Sequence, residues 1–271
     1  MKMYSSVKIV FIHFLIMRSL LASFEPGRLP PSYLALGGSG IAGQSGIFFN
    51  INPALLALDS KTELCLQYRN FYNISQLNEF GLSFRGRIKG LPFGLFVSQF
   101  GDQNYREQQF SLYISGRFFE KFSFGLAIQN YFLQIKKYGN YNAVGLTLGI
   151  HVKVLPWLNV ASVAGNINEP ALSAKKGDIP IYFINGISLK PLPKAQITLD
   201  LFKDERFDFD YRIGLTYALN SMFSLMVGFR QQAQTFASGL IFKRKVVSIC
   251  YALEYHARLG VSNAISVGYF L

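Results

Sequence analysis

The chain has 271 residues, of which 50% are apolar and only 15% are charged, and its formal net charge is +12. An ordinary soluble domain has about 25% charged residues, so this chain must hide its apolar surface in a core or expose it to lipid. No uncharged apolar run long enough for a spanning helix follows the N-terminal segment, which argues against helical spans. The composition therefore leaves a large soluble β-protein or a lipid-facing barrel.

The basic residues are scattered through strand-like segments and short turns. No basic helix, zinc-finger spacing or basic-aromatic stacking motif accompanies them, so we expect no nucleic-acid binding. A cationic surface beside anionic lipid head groups explains the charge better.

Residues 1–23 are typical of a signal peptide. Lys2 and Lys8 form a basic start, residues 9–17 are largely apolar, and residues 21–23 (Leu-Ala-Ser) offer a cleavage site with small residues. Export across an inner membrane, followed by alternating strands, predicts the outer membrane of a bacterium with two membranes.

Residues 24–60 are predicted to form a plug. Within them, Leu36–Ala57 is the least strand-like part of the chain after the signal segment, with five glycines followed by a turn-forming Asn-Pro. The motif residues of this predicted plug are Gly38, Gly40, Gly43, Asn52, Pro53 and Ala54.

The three glycines of this motif match the dinucleotide pattern G-x-G-x-x-G. That pattern needs a strand before it, a helix after it and an acidic residue about 20 positions later. Asp59 has a suitable spacing, but Pro53 interrupts the following segment and no further βα units occur. We therefore expect these glycines to let the segment fold tightly inside a narrow lumen.

Alternation of apolar with small or polar residues runs through residues 61–271 and predicts about fourteen strands. In the clearest strand, Val144, Leu146 and Leu148 alternate with Gly145 and Thr147. Segments of about 9–13 residues suit tilted strands that cross a bilayer, whereas soluble strands average about 5–6. The predicted fold is an all-β, transmembrane antiparallel β-barrel of about 14 strands with the plug (hatch) inside its lumen.

The predicted connections alternate between tight and longer, which matches the short periplasmic turns and longer outer loops of outer-membrane barrels. The tight ones lie at residues 89–92, 120–121, 155–156, 191–193, 220–221 and 244–245. The longer ones lie at residues 71–75, 101–105, 136–141, 166–180, 203–208, 231–234 and 256–263. An even number of strands then leaves both ends of the barrel in the periplasm.

The predicted inner face carries more basic than acidic side chains. Two interpretations stay open: a lumen that attracts anions, or arginines that bind plug carbonyls and the few inward acids and so hold the plug. The second is favoured by the many small residues on this face, which suggest a filled interior. The lumen-facing arginines are Arg69, Arg85, Arg87, Arg117, Arg212 and Arg230.

The sequence offers little chemistry besides these features. Cys65 and Cys250 fall on strands separated by one other strand, about 9–10 Å apart and too far to bridge, so we predict two free thiols. The three histidines have no metal-ligand spacing, and no nucleophile elbow or Ser-His-Asp pattern occurs. We expect no metal site, no cofactor and no enzymatic activity.

A Gly/Ala-rich segment that ends in Asn-Pro-Ala-Leu-Leu-Ala (52–57), ahead of about fourteen amphipathic strands, resembles the fatty-acid-transporter-like (FadL-like) outer-membrane barrels. It is most similar to the PorV/PorQ branch associated with type IX secretion, and the final strand, within residues 259–271, is similar too. The resemblance implies a periplasm-proximal hatch inside the barrel, and a Bacteroidetes-like host.

Two functions follow as expectations. The first is a non-enzymatic accessory or scaffold protein in type IX-like secretion or surface attachment, with secretion-system subunits or secreted cargo as partners beside outer-membrane lipid and lipopolysaccharide. The alternative is a narrow FadL-like transporter of hydrophobic small molecules, which diffuse through a gap in the wall. A soluble β-protein with a cleaved signal is a third, weaker class.

Overall fold

The structure is a computed structural model that describes residues 23–25, 30–43, 48–172 and 179–271. The predicted signal segment lies outside the described residues except for Ser23, and so do residues 26–29 and 44–47 of the predicted plug.

Fourteen antiparallel strands form a closed barrel, as the alternation predicted. In chain order the strands are β1 (Glu63–Asn70), β2 (Asn78–Ile88), β3 (Leu91–Gly101), β4 (Tyr105–Phe118), β5 (Phe122–Ile135), β6 (Gly139–Leu155), β7 (Leu158–Gly165), β8 (Tyr182–Leu192), β9 (Ala195–Asp204), β10 (Asp210–Ala218), β11 (Phe223–Arg230), β12 (Thr235–Arg244), β13 (Val247–His256) and β14 (Gly260–Phe270).

Each strand pairs with its neighbour in sequence, and β14 closes the ring on β1. Leu66, for example, lies opposite Leu82 on β2 and opposite Val267 on β14. Closure leaves no strand edge unpaired, which a lipid environment requires because it offers no hydrogen bonds to free backbone groups.

The two faces of the wall follow the period of 2 along each strand. On β5, the side chains of Phe124 and Ile128 are exposed on the outside, while Ala127 between them is fully buried inside. On β1, Leu64 and Leu66 are exposed outside, whereas Cys65 is buried. The outer face is therefore an apolar surface suited to lipid.

The connections differ in length from the prediction at three places. The links after β3, β5 and β13, predicted to be longer, contain only three residues each: 102–104, 136–138 and 257–259. Backbone pairing there continues past the apolar part of the strands, as between Gln134 and Asn140. A hydrogen-bonded ladder outside the bilayer needs no apolar side chains, so the apolar pattern ends before the strands do.

The longest described connection, between β7 and β8, spans residues 166–181 and lies at the same end as these three. The turns at the other end contain two to four residues, and β1 begins and β14 ends there. Outer-membrane barrels have short periplasmic turns, so the short-turn end is the one expected to face the periplasm.

Two short helices lie inside the barrel. The α-helix α1 (Pro31–Ala35) contacts β11 to β14 and β1, and a 3₁₀ helix (Pro53–Leu58) contacts β3 to β6 on the opposite side. None of the helices in the described ranges is long and apolar enough to cross a membrane. The lumen is thus filled from two sides by one N-terminal segment, which we call the plug (described residues 30–43 and 48–60).

Candidate functional site

The local sequence explains how the two helices of the plug begin and end. Pro31 and Pro53 stand at the first helical positions, where a missing N–H costs nothing. The buried side chain of Asn52 caps the 3₁₀ helix, because its Oδ1 accepts a hydrogen bond from the Ala54 amide at 3.0 Å. After α1 the chain turns through Gly37 and Gly38, whose φ angles of 64° and 75° favour glycine.

Two pairs of glycines that face each other across neighbouring strands seat the plug on the wall. Gly125 on β5 lies opposite Gly149 on β6, beneath the Asn52–Ala54 segment. Gly214 on β10 lies opposite Gly228 on β11, beneath Leu36–Ser39. A Cβ atom on Gly125 would come within 2.6 Å of the Pro53 carbonyl oxygen, and one on Gly228 within 2.7 Å of Leu36 Cα. Only glycine leaves room for the plug backbone at these positions.

Further wall glycines accommodate plug side chains. A Cβ atom on Gly94 would come 2.6 Å from the Phe49 ring, and one on Gly239 would come 2.6 Å from Ala35 Cβ. Gly94, Gly125 and Gly214 lie within β3, β5 and β10. Pairing runs in register through all three positions, so their role in this structure is to make space.

Asp200 of β9 binds the glycine-rich turn of the plug. Its Oδ2 atom accepts hydrogen bonds from the amides of Gly40 at 2.8 Å and Ile41 at 3.1 Å. The Asp200 side chain is buried, and consecutive backbone amides that converge on one anion form an anion-binding nest. The motif that superficially resembles a phosphate-binding loop thus surrounds a carboxylate of the chain itself.

Polar contacts on either side of this turn add to the attachment. Ser39 Oγ lies 2.7 Å from Thr198 Oγ1 on the neighbouring wall. Asn52 Nδ2 donates to the carbonyl oxygen of Ile41 at 3.0 Å and to that of Ile150 on β6 at 3.3 Å. The Gly43 amide donates to the Gly40 carbonyl at 2.9 Å and closes the turn. Asn52 therefore joins the two halves of the plug to each other and to the wall.

Four of the six arginines predicted to face the lumen pair with carboxylates. Asp210 accepts hydrogen bonds from Arg212 Nε at 2.8 Å and from Arg230 Nε at 2.6 Å. Arg212 Nη1 also donates to the plug carbonyl of Gly38 at 3.3 Å. Arg69 Nη2 lies 3.4 Å from Glu254 Oε1. Arg212 therefore contacts both an acid and the plug.

Arg85, the fourth, fastens the C-terminal end of the plug to the wall. Its guanidinium lies 2.9 Å from Asp59 Oδ2 and 2.8 Å from Glu63 Oε2. Partial burial raises the pKa of Asp59, but the Lys61 amide and the Arg85 charge outweigh it, so the pKa lies below its ordinary value of 3.8. Asp59 is thus held in its charged form.

Arg87 and Arg117, the remaining two, lie at the periplasmic edge and are exposed. Arg87 Nη1 donates to the Gly90 carbonyl at 3.1 Å, and Arg117 Nε donates to the Glu120 carbonyl at 3.0 Å. Each therefore caps its own turn.

Aromatic side chains and acids enclose the space left above the plug. A cavity of ≈ 50 Å³ is lined by Tyr33, Phe96, Tyr131 and Tyr182 together with Glu107. Burial raises the pKa of the Tyr33 hydroxyl above its usual range, although nearby Arg212 acts in the opposite direction. At the outer side of this cavity, Glu107 Oε2 accepts a hydrogen bond from the Phe24 amide at 3.1 Å.

A groove on the lipid-facing wall lies behind the Asp200 contact. Its volume is ≈ 840 Å³, and its lining is mainly apolar. At its centre, outward-facing Ser162 donates to Asn185 Oδ1 at 2.9 Å. Asp200 and Gly186, which line the groove from within, are adjacent to Ile41 of the plug. We call this the β7–β11 groove: Val160–Ser162, Asn185–Ile187, Leu199–Leu201, Tyr211–Ile213, Phe229 and Gln231.

The part of the chain that the structure describes contains no group of three or more His, Cys, Asp or Glu side chains placed to hold a metal ion. Cys65 and Cys250 are free and buried, on strands that flank β14. Cys250 belongs to the same apolar cluster as Tyr33–Leu36 of α1.

Sequence reasoning did not identify Asp200, Thr198 or the paired wall glycines as plug contacts. From the sequence, Asp200 was recognisable only as an acidic residue on the inward-facing side of its strand. The glycines carried a usable signal, because Gly125 and Gly149, like Gly214 and Gly228, become direct neighbours once adjacent strands are aligned by their turns.

Comparisons with known proteins found solved structures with a similar fold. No protein-family model matches the chain, and no curated protein does. Among solved structures, the CymD monoaromatic hydrocarbon channel has a TM-score of 0.68 at 15% identity, covering 92% of this chain and 99% of that one. The Pseudomonas putida toluene transporter TodX has a TM-score of 0.61 at 12% identity, covering 91% and 99%.

The chain has the fold of an outer-membrane β-barrel. Its fold is that of the TodX-type barrels with fourteen strands. The Acinetobacter baumannii outer membrane protein Omp33 is a more distant likeness, with a TM-score of 0.52 at 8% identity, covering 78% of this chain and 98% of that one. At these identities the likeness establishes the fold, and the barrel's function has to be argued from its plug and wall.

Proposed function

We propose that this barrel is a gated channel for small hydrophobic molecules, without enzymatic activity, and that the plug is its gate. The observation that carries the proposal is the position of Asp200. Its buried carboxylate holds the plug amides of Gly40 and Ile41 on the luminal side, and the same residue belongs to the wall behind the β7–β11 groove. One contact therefore couples the gate to an apolar surface open to lipid.

The size of the luminal cavity supports a gate that must move. A dry cavity of about 150 Å³ is enough to bind benzene, whereas the space above the plug is ≈ 50 Å³. An aromatic hydrocarbon would fit only after displacement of the plug. The β7–β11 groove, at ≈ 840 Å³, has room for such a molecule without displacement.

The attachment of the plug also suits a gate. Hydrogen bonds of single side chains and contacts with glycines hold the plug, and its helices do not join the strand ladders. Each such bond contributes about 0.5–1.5 kcal/mol net, so a few of them can be exchanged without unfolding the wall.

The structural neighbours favour the transport alternative over the accessory role. Two of them are named a monoaromatic hydrocarbon channel and a toluene transporter. An accessory role in type IX-like secretion, with secreted cargo or secretion subunits as partners, stays a prediction, as does a Bacteroidetes-like host. Small apolar or aromatic molecules are the substrate class that we assign to the channel.

Uptake of radiolabelled toluene by intact Gram-negative cells tests the function. Cells that express the barrel should take up toluene faster than cells with an empty vector, while uptake of a sugar of similar mass should not change. Equal toluene uptake in the two strains, with the barrel folded in the outer membrane, would overturn the proposal.

A deletion of residues 34–58 tests the gate separately. The deletion removes the Asp200 and glycine contacts and should raise ion conductance in a planar bilayer. Unchanged conductance in a folded deletion variant would refute the plug as a barrier.

A further inference from the structure

The net positive charge of the described residues lies at the short-turn end of the barrel. Twelve Lys or Arg side chains and three Asp or Glu side chains lie there, an excess of nine positive charges. The other described residues carry nine basic and eleven acidic side chains. The charge of the barrel is therefore strongly asymmetric across the membrane.

The cations of this end are exposed and face few carboxylates. Arg85 and Lys190 are the exceptions, because Arg85 is buried against Asp59 and Glu63 and Lys190 is half-buried. Glu120 is the one exposed acid at this end among the described residues. We call the exposed cations of this end the periplasmic collar: Lys61, Arg87, Lys89, Arg117, Lys121, Lys153, Lys194, Lys243, Arg244 and Lys245.

The collar surrounds the barrel instead of forming a patch on one side. It has members at the start of β1 and at or beside every short turn except the one between β10 and β11. A docked protein would contact one arc of this ring. An annulus of lipid head groups contacts the whole circumference.

Exposed aromatic side chains lie next to the collar. Phe118 and Trp157 are each 50% exposed, and Phe119, at the tip of its turn, is 94% exposed. Aromatic residues of this kind mark the membrane–water interface. Lys121 follows two positions after Phe119, which places its ammonium at the level of the head groups.

We propose that the periplasmic collar binds the phosphate groups of anionic phospholipids in the periplasmic leaflet of the outer membrane. Exposed cations near an anionic surface gain affinity, by about fivefold for each Lys or Arg. The outer end, whose described charges nearly balance, lacks this property. The collar would fix the depth of the barrel in the membrane and enrich anionic lipid around it.

The test compares two variants that lose the same charge. In one, Lys121, Lys194 and Lys245 of the collar are each replaced by Gln. In the matched control, Lys136, Lys137 and Arg258 of the outer loops, which are also exposed, are replaced by Gln. All proteins are placed in nanodiscs of equal phosphatidylglycerol and phosphatidylethanolamine, and folding is verified by heat-dependent mobility on gels.

Native mass spectrometry of the lipids retained on the released barrel gives the readout. We expect phosphatidylglycerol to be enriched on the wild type and on the control, and its ratio to phosphatidylethanolamine to fall at least about fivefold for the collar variant. Soluble glycerol phosphate at millimolar concentration should not displace the lipid.

Two results would overturn the proposal. One is equal lipid composition on the wild type and the collar variant, which would leave a soluble acidic protein as the better occupant. The other is displacement by glycerol phosphate, which would assign the collar to free phosphate anions.

Discussion

The double substitution of Gly125→Ala and Gly228→Ala tests whether the plug depends on its glycine seat. The two new methyl groups meet plug backbone at separate sites: one comes closest to the carbonyl carbon of Pro53, and the other comes closest to the Leu36–Gly37 peptide bond. Carbon atoms pack best at about 3.5–4.0 Å, so the plug or the wall must shift by more than about 1 Å at each site.

Overpacking of this kind costs about 1–3 kcal/mol per site. The wall is held by fourteen continuous strand pairings, whereas the plug is held by single side-chain bonds. We therefore expect the plug to absorb the strain. A combined cost at the lower bound of about 2 kcal/mol raises the population with a displaced plug roughly thirtyfold.

Single-channel conductance and limited proteolysis measure this displacement. The double variant should show longer or more frequent open events and faster cleavage within the plug, with the barrel still folded. Gly86→Ala serves as the control, because its Cβ would have no neighbour closer than 3.4 Å and should change neither measurement. A folded double variant with wild-type conductance and protease resistance would refute the glycine seat.

Three further predictions concern single residues. Asp200→Ala leaves two buried plug amides without an acceptor, which costs about 1–3 kcal/mol for each amide, so amide hydrogen exchange at Gly40 should become at least tenfold faster. Asp200→Asn keeps one side-chain oxygen and should have a smaller effect. Equal effects of the two substitutions would contradict the carboxylate contact. In a Cys65→Ser background, Cys250 should resist a polar maleimide while the plug is present and should react after deletion of residues 34–58. Continued protection in the deletion variant would contradict the cover of Cys250 by the plug. Because the pKa of Asp59 in the folded protein is lowered below 3.8, the contribution of Asp59 to stability is present above that value and is lost as the pH falls below it. The difference in unfolding free energy between wild type and Asp59→Asn should therefore shrink below about pH 4. A difference that stays constant down to pH 2 would refute the ion pair.

The sequence was sufficient to predict the wall of the barrel. Alternation along the strands predicts the closed barrel and its strand number, because lipid outside and a filled lumen inside impose opposite demands on successive residues. The ends of strands were harder to predict. β6 begins at Gly139 and β14 at Gly260, beyond the apolar stretches, because pairing outside the bilayer needs no apolar side chains.

The six arginines show what the alternation of side chains along a strand, here called parity, can and cannot predict. Parity indicated the same face for all six, yet Arg212 contacts the plug and Arg69 pairs with Glu254 across the chain, while Arg87 and Arg117 are exposed at the rim. Depth along the strand decides between these environments. Parity alone gives no information about this depth.

The sequence by itself determined that a glycine-rich segment precedes a lipid-facing barrel, since periodicity is a local property of the chain. Only the tertiary structure decided where that segment lies: on Gly125 and Gly149 at one side, on Gly214 and Gly228 at the other, with Asp200 bound to its amides. These contacts join residues more than seventy positions apart. Their geometry exists only once the strands have closed into a ring of fixed circumference and the plug has been enclosed within it.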